Sequence, residues 1–133
     1  MHTTNYVNTL IEVSGDCPAR AGKVPGRAGT VALLQYRFLS ERPYEFTSDE
    51  LLAAVAAERQ GRDADEWAEV QAELFSRPQA CLRASPLVKS FGWGLHHDDK
   101  GRVALVDSAG AEYRRLVADA RIAKTPGMRT KRA

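Results

Sequence analysis

At 133 residues the chain has the length of one domain and can bury a core without disulfide or metal staples. Its 44% hydrophobic and 27% charged content excludes disordered and fibrous classes. A net charge of +2 hides an asymmetry: residues 114–133 hold seven Lys or Arg against Asp119 alone, whereas Glu41 to Phe75 holds ten acidic side chains against three basic ones.

The same composition narrows compartment and partners. No apolar run is long enough to span a bilayer, and the first residues lack the charged and apolar stretches of a secretory signal. Two cysteines, Cys17 and Cys81, make no disulfide scaffold, so a reducing cytoplasm is the expected location. The basic tail would suit nucleic acid, but a nucleic-acid footprint usually makes the domain clearly basic, and a net charge of +2 argues against that partner. Docking of the tail on the acidic helices of its own chain, or of a second copy in a homo-oligomer, is the alternative.

In chain order, Tyr6 to Val13 alternates, with Val7, Thr9, Ile11 and Val13 on one face, and predicts a half-buried strand. Gly15 to Gly29 is an aperiodic loop with four Gly and two Pro, long enough to suggest a functional role. Thr30 is placed to cap a helix over Val31 to Ser40, although a strand through Ala32, Leu34, Tyr36 and Phe38 also survives. Thr47-Ser48-Asp49-Glu50 has the form of a capping box before a helix ended by Gly61. Asp63 to Glu66 opens a third helix that buries Trp67, Val70 and Leu74.

Past Pro78, Phe91 to His97 and Arg102 to Asp107 both alternate, joined by Asp98-Asp99-Lys100-Gly101, and predict a β-hairpin. Ser108 is positioned to cap a short helix through Tyr113 and Leu116, and residues 119–133 read as a basic extended tail. The fold expected is a single α+β domain over 1–133, with a small antiparallel sheet and about four helices.

The hairpin carries the candidate chemistry. Gly92, Gly94 and His96 share one face, and glycine within a strand marks close approach by a ligand or by another backbone. The bland reading is that the glycines make room for a packed helix. Arg83, Ser85 and Lys89 lie just upstream, so a small anionic ligand held by Arg83, Ser85, Lys89 and His96 is the first functional expectation. An enzyme of hydrolase or transferase type, with His96 as base and Cys81 or Ser85 as nucleophile, is the second. A self-associating interaction protein is the third. His96 and His97 point to opposite faces and cannot share an ion, and no tight ligand spacing exists, so neither metal nor cofactor is expected.

His2-Thr3-Thr4-Asn5-Tyr6, Thr47-Ser48-Asp49, Cys81-x-Arg83-Ala84-Ser85-Pro86-Leu87, Gly92-Trp93-Gly94-x-His96 and Met128-Arg129-Thr130-Lys131-Arg132-Ala133 together resemble a family of small, uncharacterised, mostly bacterial proteins classed as a domain of unknown function. Thr130 departs from the serine of that pattern. The resemblance spans nearly the whole chain and implies a stand-alone protein with terminal segments integral to it. It supplies no catalytic residues.

Overall fold

A computed structural model describes residues 2–131; Arg132 and Ala133, the end of the basic tail, lie outside the described residues. Four strands form one sheet in the order β3-β2-β1-β4: β1 (Thr9–Glu12), β2 (Trp93–His97), β3 (Val103–Asp107) and β4 (Ala123–Pro126). The first three pair antiparallel, but β4 runs parallel to β1, so the sheet is mixed where an antiparallel one was expected. Five α-helices surround it: α1 (Val31–Glu41), α2 (Ser48–Arg59), α3 (Trp67–Leu74), α4 (Pro86–Ser90) and α5 (Ala111–Ala118). The domain is α+β, and among the described residues no helix is long and apolar enough to cross a membrane.

The helix starts follow from local chemistry. Thr30 accepts from the Leu33 N–H and caps α1, which settles residues 31–41 as helix. The Thr47 hydroxyl and Glu50 carboxylate close a capping box on α2, and Gly61, at φ 70°, turns the chain after it. Asp63 and Glu66 form a second box, followed by one turn of 3₁₀ helix that leads into α3. At α5 the cap is Gly110 and not Ser108, because Asp107 Oδ1 accepts from the Ala109 N–H and builds a turn over that serine.

The strand expected over Tyr6 to Val13 shortens to Thr9–Glu12. Asn8 sits at φ 46° and breaks the ladder before it, leaving Val7 exposed. Leu10 and Ile11 are both fully buried, so β1 is covered on two faces and not half-buried. One face packs against α1, α2 and α4 through Ile11, Leu95, Val103, Leu34, Leu51 and Leu87. The other carries a smaller cluster, Leu10, Val106 and Leu116 with Tyr113 and Ile122, beneath α5.

The two termini are strapped to this frame by carboxylates. Asp49, at the start of α2, accepts from the Thr3 hydroxyl (2.8 Å) and from the Thr4 N–H and hydroxyl (2.7 Å each), while its own N–H donates to the Asn5 side chain. At the other end, Asp16 accepts from the Ser14 hydroxyl and from the Lys131 and Thr130 N–H groups, and these bonds hold its carboxyl pKa at about 2. Residues 123–126 of the expected tail are thus a sheet strand, and the backbone beyond it returns to the Gly15–Gly29 loop. Both sheet edges are protected. Pro126 has no N–H and its carbonyl is taken by Arg83, whereas β3 is covered by the Tyr44 N–H to Val103 carbonyl and Val103 N–H to Phe46 carbonyl bonds.

Candidate functional site

Strand parity decides which of the sequence-chosen residues can meet. His96 lies opposite Leu10 on β1 and Ala104 on β3, so it shares the α5 face of the sheet. Ser85 is buried on the other face, where its hydroxyl donates to Gln35 of α1 at 2.5 Å and accepts from the Leu87 N–H as the cap of α4. Arg83 donates through Nε to the Pro126 carbonyl at 2.7 Å, and its own carbonyl accepts from Met128. Lys89 lies in the last turn of α4, where a cation complements the helix terminus. Arg83, Ser85 and Lys89 belong to the α4 layer and His96 to the opposite face, so the four do not surround one space.

Cys81 also belongs to the α4 layer. Its sulfur lies 3.2 Å from the Tyr6 hydroxyl, whose pKa burial and the thiol raise to about 12. Tyr6 in turn meets His97 edge-on, with ring centroids 5.4 Å apart. His97 is fully buried as core. Its Nδ1 lies 3.2 Å from the Leu95 carbonyl, Nε2 has no hydrogen-bond partner among the described residues, and burial lowers its pKa to about 4. Neither Cys81 nor Ser85 is on the face that carries His96.

The glycine face does not stay open. A Cβ at Gly94 would come within 2.6 Å of the Tyr113 ring of α5, and Gly92, at φ 75°, lies against the Ala21 carbonyl of the long loop. Room for packing explains both glycines, and the surface expected to be free of side chains is covered. Trp93 is half-buried; its indole lies against Gly22 and its N–H donates to the Lys23 carbonyl.

What remains open is the end of the α5 face around His96. There β1 begins, β2 leaves for its turn and β4 starts, so Asn8, His96, Asp98, Asp99, Asp119, Arg121 and Ile122 line a cleft of about 400 Å³. That size is within the range of small-molecule sites. The imidazole is held by Tyr44, whose hydroxyl lies 2.8 Å from Nδ1 and whose ring meets it edge-on. Because the Tyr44 N–H bonds the outer edge of β3, its side chain must span that strand, past the small Ala104, to reach β2. It does so from a φ of 58°. Tyr44 and Asn8 are the two non-glycine residues in left-handed backbone among the described residues, and one holds His96 while the other lines its cleft. Conformations of this cost gather at functional sites.

The electrostatics of the cleft are mixed. Burial lowers the His96 pKa against the opposing pull of Asp98 and Glu112. Burial, aided by Glu112 and Asp98, raises that of Tyr44. Asp98 Oδ1 is committed to the turn, accepting from Lys100 and Arg102. Asp119 is committed to Arg121 at 3.0 Å, which holds its carboxyl at about 2. The hydrogen bond of the His96 ring among the described residues is the one at Nδ1. The strained tyrosine that positions the histidine is not legible in the sequence, where nothing local ties residue 44 to residue 96.

A cleft of about 480 Å³ between α2 and α3, lined by Gln60, Glu73 and Arg77, holds no histidine or thiol. The described residues whose carboxylates approach closely enough to share a metal are Asp63, Asp65 and Glu66 at the entry to α3, and there Glu66 already pairs with Arg62.

The model of a family of unknown function, DUF6157, matches residues 1–133, so the chain belongs to that family. No curated protein and no solved structure matches it.

Proposed function

We propose that the protein is a binding domain for a small polar molecule, taken up in the cleft at His96. The observation that carries this reading is the Tyr44–His96 pair: a strained tyrosine fixes one ring nitrogen and leaves the other unbonded at an open cleft. An anion gripped by Arg83, Ser85, Lys89 and His96 together would need contacts on both faces of the sheet. Of those four residues His96 keeps a ligand-facing role, while Arg83 and Ser85 hold α4 and the C-terminal segment in place.

The test is a stability screen of the full chain against small molecules, repeated on His96→Ala. Compounds that raise the melting temperature of the wild type and lose that effect in the variant support the reading. Stabilising compounds that act equally on both proteins would place the binding site elsewhere.

A second reading is favoured by the same hydrogen bond. A histidine whose pKa burial lowers, and whose Nδ1–H donates to the Tyr44 oxygen in the tautomer that leaves Nε2 unprotonated, is the arrangement of a general base. In that case Tyr44→Phe would depress turnover of a substrate more than its binding, whereas a pure binding role predicts an effect on affinity alone.

A further inference from the structure

We infer that this protein associates with copies of itself, the basic face beside α4 of one copy docking on the acidic outer face of α3 in the next. The inference is independent of the His96 cleft. Backbone bonds assemble the basic face. The Met128 N–H donates to the Arg83 carbonyl, and the Thr130 and Lys131 N–H groups donate to Asp16. The Arg129 guanidinium lies against Gly15, and the Lys23 N–H donates to the carbonyl of Phe91 at the end of α4. The C-terminal segment and the Gly15–Gly29 loop thus gather Arg20, Lys23, Arg83, Lys89, Arg129 and Lys131 around α4. Asp16 and Asp107, the carboxylates bonded to these segments, accept from backbone N–H groups. Six cations against two anions leave a net charge of +4. None of the six is in an ion pair among the described residues. Val24, 57% exposed, and Met128, 48% exposed, add the apolar contact area that a purely ionic surface lacks.

The same chain holds the complement. α3 buries Val70, while Ala68, Glu69, Ala72 and Glu73 on its outer side stay exposed, as does Asp65 at its entry. Arg62 is shared by Glu66, Glu69 and Glu73, and Arg77 lines a cleft with Glu73. With Asp63 and Asp65, five carboxylates stand against two cations, a net charge of −3. The exposed alanines leave the helix surface low enough for side chains such as Met128 and Val24 to reach it. Within one chain the two faces do not neutralise each other. α3 packs on α2 whereas α4 packs on α1, and no ion pair joins the faces among the described residues. Opposite patches that one chain keeps apart are complementary between copies. The contact joins two different faces, so it is heterologous and grows past a dimer unless it closes on itself.

The experiment is sedimentation velocity on the full chain across a concentration series, at about 20 mM and about 500 mM salt. Species heavier than one chain are expected to grow with concentration at low salt and to dissociate at high salt. Arg129→Glu with Lys131→Glu, and separately Asp65→Lys with Glu69→Lys, are each expected to weaken association about tenfold or more. An equimolar mixture of the two variants should associate again, because each supplies the face that the other has reversed. Arg20→Glu with Lys23→Glu lies off the bonds that strap the tail and should match the tail pair, which separates a lost contact from a loosened tail. Lys100→Glu with Arg114→Glu changes the net charge equally, away from both faces, and should leave association unaltered. A single-chain species at every concentration in low salt would overturn the inference. So would association that survives the face variants, or that the Lys100 and Arg114 pair weakens as much as they do.

Discussion

The two faces of the sheet are built to different standards of closure. Beneath α1, α2 and α4, the polar side chains that looked like chemistry are bonded internally: Ser85 to Gln35, Arg83 to Pro126, Cys81 to Tyr6. Beneath α5, an eight-residue helix covers one end of the sheet through Tyr113 and Leu116 and leaves the other end to His96, Asn8 and the aspartates. A residue type alone does not announce function. The same histidine chemistry is core at residue 97 and cleft lining at residue 96, one position and one face apart.

The comparison can be broken at four places. The largest effect is expected on the closed face from Asp49→Ala, which removes the acceptor of three hydrogen bonds and strands the buried Thr4 N–H, while the Thr4 hydroxyl keeps the Ser48 hydroxyl as a partner. An unsatisfied buried donor costs about 1–3 kcal/mol and each of the other two lost bonds about 1 kcal/mol, so a loss of about 4 kcal/mol in urea unfolding is predicted. A loss below about 1 kcal/mol would show that the N-terminal strap is ornamental to the fold.

Next is the acid sensitivity of His97. Its folded pKa of about 4 lies below the ordinary 6.5, so stability from this group is complete above pH 6.5. It falls as pH drops from 6.5 to about 4, because the unfolded chain takes up a proton that the folded one refuses. At about 1.4 kcal/mol per pKa unit the loss is about 3 kcal/mol. In His97→Leu that part of the pH slope should vanish. Parallel slopes in variant and wild type would contradict the assignment.

On the α5 face, Gly94→Ala drives a methyl group into Tyr113, whose hydroxyl also accepts from the Val13 N–H. A cost of about 2 kcal/mol is expected, together with a shifted Tyr113 signal. Smallest is Tyr44→Phe, which removes one half-exposed hydrogen bond and costs about 1 kcal/mol. Its signature lies in the His96 ring nitrogens, whose NMR shifts should change as Nδ1 loses its partner.

What could be read ahead of the structure follows the range of the interaction. Capping boxes at Thr47 and Asp63 and the hairpin turn at Gly101 are set by side chains within four residues of one another, and all were legible. Strand β4 was not: Ala123-Lys124-Thr125-Pro126 has little strand character, and a parallel partner more than a hundred residues away supplies its structure. Alternation also correctly set His96 and His97 on opposite faces, but parity within a strand does not say which layer covers which face. That is why Ser85 and His96 seemed to be neighbours. The left-handed backbone at Asn8 and Tyr44 left no trace in the sequence, and those two residues shape the cleft.

The most direct test sets stability against binding in one matched panel: Arg83→Ala and Ser85→Ala from the closed face, His96→Ala and Asp98→Asn from the cleft. Each is measured for unfolding free energy and, by NMR, for affinity toward a stabilising compound from the screen. The predicted result is a crossed pattern, in which the first pair loses stability and keeps affinity while the second loses affinity at a stability cost of about 1 kcal/mol or less, the cost of the Tyr44–His96 bond. Loss of affinity in Arg83→Ala or Ser85→Ala at undiminished stability, with His96→Ala binding like the wild type, would contradict the division of the molecule into a closed face and a binding face.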